Sequence, residues 1–540
     1  MLLISIVSFA VLYLGYRFYA SYLEKLYSVK PDEKMPSKEL YDGIDYVPTN
    51  KFILLGHHFS SIAGAGPIVG PIIAGIAFGW APAVLWVLIG TIFIGGLHDY
   101  SSLIISIRHK GKSIGEVANL YINKRTYKLF LLFTWLALMY VVAVFADITA
   151  DTFAKEAAVS QISIIYIFVA FVFGSLLFRK KAGLSLLTIL SLAALLAGGV
   201  LSFKYQVIFL DKNVWIMILL AYCVLASLLP VWLLLQPRDY LSSYLLYASV
   251  FLGLIGLFFG GHEIRYPAFV SFSSESVGTM FPFLFVTIAC GAVSGFHSLV
   301  ASGTTSKQID KIENARFVGY GGMVLEAVVA IIALGTVMLM ASDNPSLKSA
   351  PAEIFASGLA SFSTLTGLPP AAGKTFGFLV VSAFMLTTLD TATRIARYIF
   401  QEMIDKTVAG AGVKLFATLI SLSLPLALLN LRIAGPSGTP IPCWKIIWPL
   451  FGITNQLLAA LVLIIIYLWA KKENSVKGAV IALPAFFMIV TTISALFLSL
   501  KGSVSAGSFN IVFYIAAVLL LLSAVVLFES LRAVFKKPAV

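Results

Sequence analysis

The feature that most restricts this chain is the recurrence of long, uninterrupted apolar runs. A helix needs about 18 or more apolar residues to cross a hydrocarbon layer of roughly 30 Å. Fifteen segments of the 540 residues meet or approach that length, near 1–20, 52–79, 82–107, 129–150, 162–178, 183–203, 214–235, 240–260, 280–303, 317–341, 373–400, 413–431, 449–469, 477–499 and 510–532. Backbone polar groups in lipid must be satisfied within the segment, so these runs read as helices. The expectation is an all-α integral membrane protein of about 15 transmembrane helices embedded in a lipid bilayer. The 12% of charged residues, against about 25% in soluble domains, excludes a water-soluble globular fold. The first run lacks a basic leader and a small-residue cleavage site, so it reads as a retained helix.

The net charge of +13 could suggest nucleic acid, but topology accounts for it. With the amino terminus outside, 28 of the 38 Lys and Arg, Arg238 among them, fall on inward-facing segments, 9 fall on the other side, and Arg394 lies within a span. This is the positive-inside distribution, with the carboxyl end in the cytoplasm and no nucleic-acid partner.

Four landmarks recur in order along the chain. Phe59-Ser-Ser-Ile-Ala-Gly-Ala-Gly66 matches Phe296-His-Ser-Leu-Val-Ala-Ser-Gly303, and Glu116 matches Glu353, both at an offset of 237; Asp151-Thr152 matches Asp390-Thr391 at 239; Pro230–Pro237 matches Pro442–Pro449 at 212. The offset drops where the first half carries an additional hairpin, 162–203. Span 52–79 runs outward and its mate 280–303 inward, which makes the repeat inverted, five helices plus five, as in transporters of the LeuT type. The organisation expected is an amino-terminal helix and loop (1–51), a first repeat (52–260), a second, inverted repeat (280–469) and two carboxyl-terminal helices (470–540).

In such folds the solute sits near mid-membrane, where the first helix of each repeat is discontinuous. Gly56, Gly64, Gly66, Pro67, Gly70 and Pro71 interrupt one of these helices, and Gly291, Gly295 and Gly303 the other. Proline, at about 3 kcal/mol, is the stronger breaker than glycine, at about 1. Close helix packing through small residues is the alternative. Beside the breaks lie His57, His58, Ser60 and Ser61 in the first helix, and Ser294, Phe296, His297 and Ser298 in the second. Intramembrane ionisable groups mark pathways or sites, although His57, six residues after Lys51, could instead be interfacial. These residues, with Gly64 and Gly66, are the expected substrate site, where half-helix amino termini would suit a carboxylate.

The carboxylates within spans are Asp99, Asp147, Glu326 and Asp390. Thr387, Thr388, Asp390 and Thr391 share one helical segment, offering oxygen ligands to a coupling cation, or else a structural network in which Asp390 pairs with Arg394. His98 beside Asp99 could form a proton relay. Glu116 reads as part of a capping box with Ser113. Cys223, Cys290 and Cys443 lack metal-ligand spacing and read as apolar packing. No zinc-protease motif occurs, and Gly373-Lys374-Thr375 lacks the first glycine of a phosphate loop. No catalytic residue, metal or cofactor is expected.

Asp42-Gly-Ile-Asp-Tyr-Val-Pro-Thr-Asn-Lys51, Gly56-His-His-Phe-Ser-Ser-Ile-Ala-Gly-Ala-Gly-Pro67, Ala289-Cys-Gly-Ala-Val-Ser-Gly-Phe-His297, Ser302-Gly-Thr-Thr-Ser-Lys-Gln308, Leu389-Asp-Thr-Ala-Thr-Arg394 and Trp448-Pro-Leu-Phe-Gly-Ile-Thr-Asn-Gln-Leu457 resemble the carbon starvation protein A family, within the amino acid-polyamine-organocation superfamily. The chain departs from that family in His98-Asp99, where Gln-Asp would be usual, and in its shorter length. The resemblance implies uptake of peptides or pyruvate across a prokaryotic cytoplasmic membrane when preferred carbon is scarce, coupled to protons, with sodium as the alternative. A passive channel, a nutrient sensor without flux and a membrane metalloenzyme are the rival readings, and the oligomeric state is left open.

Overall fold

The computed structural model describes all residues except 180–182, 406–409, 435–439, 448, 474–477, 506, 508 and 536–540. Part of the basic tally, including Lys180, Lys181, Lys477, Lys536 and Lys537, and Trp448 of the last family motif, therefore lies outside the described residues.

Among the described residues, twelve helices are long and apolar enough to span a membrane: α1 (Leu2–Leu26), α4 (Trp80–Arg108), α6 (Lys124–Lys155), α7 (Ala157–Phe178), α8 (Leu184–Lys204), α10 (Leu235–Phe259), α13 (Arg316–Met338), α15 (Pro370–Met403), α16 (Ala411–Asn430), α17 (Leu450–Lys472), α18 (Ala479–Ser505) and α19 (Ile511–Glu529). A thirteenth is the bent pair α2 (Lys51–Ala63) and α3 (Gly66–Phe78), which meet at 42°. The two remaining expected spans are present in other forms. One is the 17-residue α9 (Lys212–Leu228), and the other is split into α11 (Met280–Thr287) and α12 (Gly295–Gly303). The expected count of fifteen thus becomes twelve continuous spans, one bent pair, one short helix and one divided helix.

The halves show the same succession. A broken helix (α2–α3, α11–α12) is followed by a long one (α4, α13), a short helix (α5, Ile114–Tyr121; α14, Pro351–Ser363) and three more (α6, α9, α10; α15, α16, α17). Glu116 and Glu353 both lie in the first turn of the short helices, as their shared spacing requires. The Phe59–Gly66 and Phe296–Gly303 motifs, however, sit differently: the first runs into its break, whereas the second is α12 itself, with the break before it. Hairpin α7–α8 is the insertion of the first half and packs mainly on itself and on α10. The centre is made where α6 runs along α15 and α2 along α10, with α3 against α13.

Arg238 departs from its expected place in an inward-facing loop. It lies inside α10, 1% exposed, so it marks no loop.

Candidate functional site

The first break is narrow. Gly64 takes φ 45°, ψ −152°, a conformation closed to residues with a Cβ. Pro67 stands in the first turn of α3, where its missing N–H costs nothing, and Pro71 lies inside that helix without dividing it. Glycine, not proline, makes this break. Gly66 and Gly70 serve the packing alternative instead. A Cβ on Gly66 would lie 2.2 Å from that of Cys290, and one on Gly70 2.3 Å from the carbonyl of Thr287, so these glycines let the two broken helices touch. Gly56 is internal to α2, and Gly303 ends α12 rather than interrupting it.

The second break, residues 288–294, is wider, and side chains of neighbouring helices occupy its backbone groups. Asn455 Oδ1 accepts from the Phe296 N–H (3.0 Å) and its Nδ2 donates to Ser294 Oγ (3.0 Å), so Asn455 caps α12 from α17. Gln456 Nε2 donates to the Val293 carbonyl (3.0 Å), and Thr91 Oγ1 to that of Gly291 (3.3 Å). At the first break Thr387 Oγ1 donates to the Ser60 carbonyl (3.0 Å) and Thr388 Oγ1 to that of Ser61 (3.4 Å).

Between the breaks lies a small cavity lined by Gly64, Gly66, Phe145, Cys290, Phe296, Thr388, Phe451 and Asn455, among others. A larger one shares Gly66, Phe145, Cys290 and Phe451 with it and extends to Ser276, Ser349 and Pro351 in the 260–279 and 339–351 region. Apolar walls with a few polar groups are the usual form of a small-molecule site.

Of the residues expected to bind substrate, Gly64, Gly66 and Phe296 line the smaller cavity, as does Thr388 from the expected ion-coupling group. His57, His58, Ser60, Ser61, Ser294, His297 and Ser298 are fully buried and line neither cavity. Ser298 bonds back to the Gly295 carbonyl (2.7 Å), and His58 Nδ1 meets Thr305 Oγ1 at 2.8 Å.

The other buried polar groups form two networks. In the first, His57 Nδ1 donates to Asp239 Oδ2 (2.6 Å), which also receives Ser61 Oγ (3.3 Å), while Ser61 and Thr391 hydroxyls lie 3.1 Å apart. Arg238 bridges Asp239 Oδ1 (2.6 Å) and Asp390, and Tyr222 donates to Asp390 Oδ2 (2.7 Å). His57 is therefore buried within the protein and paired. Arg394 does not pair with Asp390; it meets Asp45 (3.2 Å) and the carbonyls of Ala226 and Leu229. In the second network Asp99 joins His98 Nδ1 (2.9 Å) to His297 Nδ1 (2.8 Å), and Glu326 approaches His297 Nε2 at 3.1 Å. Asp147 takes no part in either network and pairs with Lys212 (2.7 Å).

The family model described as carbon starvation protein CstA matches residues 1–346 and 341–495. The chain belongs to the CstA family. It is 34% identical to the peptide transporter CstA of Bacillus subtilis (86% of this chain, 84% of the relative) and 30% to the pyruvate/proton symporter BtsT of Escherichia coli (92% and 81%). A solved manganese transporter mutant of Eremococcus coleocola superposes with a TM-score of 0.51 at 13% identity over 92% of this chain and 99% of that one, which shows the LeuT-type fold of this CstA-family chain. It is a multi-span membrane protein.

Sequence reasoning missed Arg238, Asp239, Tyr222 and Asn455. Arg238-Asp239 just after Pro237 at the head of an apolar run was the available signal, because a charge pair there is either a loop or a buried pair and only packing decides. Asn455 and Gln456 are adjacent amides in an apolar helix, a signal in its own right for a membrane segment.

Proposed function

We propose that this CstA-family chain is a proton-coupled secondary transporter that imports a small carboxylate-bearing nutrient, a short peptide or pyruvate, by alternating access across a prokaryotic cytoplasmic membrane. The observation that carries the reading is the cavity between two broken helices, the arrangement in which secondary transporters hold their solutes. The names of the two relatives support the cargo class. With the amino terminus outside, the larger cavity is the outer vestibule.

Coupling rests on the arginine network. The proton shared by His57 and Asp239 is linked through Ser61 to the first break, and Thr388 joins the Ser61 carbonyl to the cavity wall. The hydrogen bonds that His57 and Ser61 both give to Asp239 Oδ2 hold α2 against α10, so a change in the proton carried there alters that hold next to the break. His57 faces Asp239 and, beyond it, Arg238 and Asp390. A sodium ion is the second reading, favoured by the Thr387 and Thr388 hydroxyls gathered on the carbonyls of Ser60 and Ser61.

The test is uptake into liposomes carrying the purified chain, with proton and sodium gradients imposed separately. Accumulation driven by the proton gradient and lost in Asp239→Asn supports the proposal. Flux that never exceeds the solute gradient indicates a channel, and binding without flux a sensor. Accumulation driven by sodium alone overturns the proton assignment.

A further inference from the structure

The arginine network balances its buried carboxylates with a guanidinium, whereas the histidine network does not. Asp99 and Glu326 are both completely buried, and among the described residues neither pairs with a lysine or arginine. Buried carboxylates of that kind are costly unless a cation joins them.

The geometry points to the cation. Cys290 Sγ, His297 Nε2 and a Glu326 carboxylate oxygen lie within 4.8 Å of one another, all on buried residues. Asp99 accepts from His297 Nδ1 at 2.8 Å, which assigns the proton of a neutral ring to Nδ1 and leaves the Nε2 lone pair facing Glu326. Nε2 and Glu326 Oε2 are 3.1 Å apart, yet they form no hydrogen bond, and both Glu326 oxygens are without a hydrogen-bond partner. A proton held between them would need a straight N–H···O line, whereas a metal needs two lone pairs converging on a third point. The close but misaligned pair fits the second arrangement.

We infer that Cys290, His297 and Glu326 form a buried site for a divalent metal ion of borderline softness, of which Zn²⁺ is the type, with Asp99 holding His297 as its outer partner. A sulfur, a nitrogen and an oxygen donor suit Zn²⁺ and exclude Mg²⁺ and Ca²⁺, which take oxygen alone. Tetrahedral bonds of about 2.0–2.3 Å set ligand atoms about 3.3–3.8 Å apart, so the site closes by roughly an ångström on binding. The carboxylate–imidazole–metal chain is the usual outer support of such a histidine. Binding releases the Cys290 thiol proton to solvent, and Asn455 Nδ2, 3.5 Å from Sγ, donates to the thiolate formed. Cys290 lines both cavities, which gives the ion its way in and leaves the fourth position on the solute's side. The inference stands apart from the transport reading, since either can fail alone.

The experiment uses the purified full-length chain, stripped with chelator and titrated with Co²⁺ alone and Zn²⁺ alone. One equivalent of Co²⁺ should bind with a thiolate-to-cobalt charge-transfer band that Zn²⁺ abolishes. Cys290→Ser should lose the band, and Asp99→Asn should weaken affinity by about 10–100-fold. If those variants fail to fold, the wild-type chain still decides, because Zn²⁺ should block alkylation of Cys290, mapped by mass spectrometry, and leave Cys223 and Cys443 unchanged. A wild-type chain that binds no Co²⁺ through sulfur, or one whose Cys290 is alkylated equally with and without Zn²⁺, overturns the inference.

Discussion

The two broken helices solve one problem in opposite ways. The first interrupts itself at a single strained glycine and keeps its gap short; the second unwinds over seven residues, 288–294, and relies on Asn455, Gln456 and Thr91 to occupy what it frees. Each also leans on its own buried charges, an arginine network beside the first and a histidine network beside the second. A gap made by backbone strain is thus intrinsic to its helix, whereas a gap supported by neighbours can be remodelled when those neighbours move.

Substitutions can break or sharpen this contrast. The largest effect is expected at Arg238. Arg238→Met strands Asp390 without a cation and leaves Asp239 only His57, and should cost about 3–5 kcal/mol in detergent unfolding. A loss below about 1 kcal/mol would mean the arginine is not what holds the first break's surroundings. Gly64→Ala comes next. It forces a side chain into φ 45°, with its Cβ 3.1 Å from Thr388 Oγ1, and should cost about 1–3 kcal/mol together with most uptake; full activity would show that the strain is dispensable. Asn455→Ala removes the cap of α12 and should cost about 1–2 kcal/mol, with a raised KM and little change in maximal rate. An unchanged KM would show the second break to be self-supporting.

The smallest effect at neutral pH concerns the strap that ties the two broken helices together on one side of the molecule. Thr49 N–H donates to the Gln308 carbonyl (2.9 Å), joining the head of α2 to the chain just past α12, and Asp45 anchors the same strap. Burial raises the Asp45 pKa, but Arg394 and then Lys307 outweigh it, and the carboxyl is held below its usual range. Its stabilisation is therefore present above the ordinary carboxylate pKa of about 4 and is lost as pH falls through the lower folded value. Hydrogen exchange across 42–49 should rise only under such acid conditions, and a rise near neutral pH would contradict the assignment.

The helices and the positions of both breaks were legible because apolar length and glycine clusters are local properties of a sequence. Which breaker acts was less legible: proline has the larger intrinsic cost, yet Gly64 makes the break and Pro67 merely begins the next helix, since its position within the turn cancels its penalty. The histidines stand out in the sequence as ionisable groups beside apolar runs, but their partners Asp239 and Glu326 come from other helices, and sequence does not say which faces meet. Phe145 and Phe451 were invisible as cavity walls for the same reason, being two aromatics among many in apolar runs.

Among the described residues, no charged side chain lines the smaller cavity, and this bears on what the membrane voltage can do. A monocarboxylate travelling with one proton carries no net charge through that apolar passage, while a zwitterionic peptide travelling with one proton carries one. Each charge moved through 100 mV is worth about 2.3 kcal/mol. An imposed voltage should therefore leave the uptake of the first cargo unmoved and drive that of the second, so the electric field itself becomes the reagent that tells the two apart.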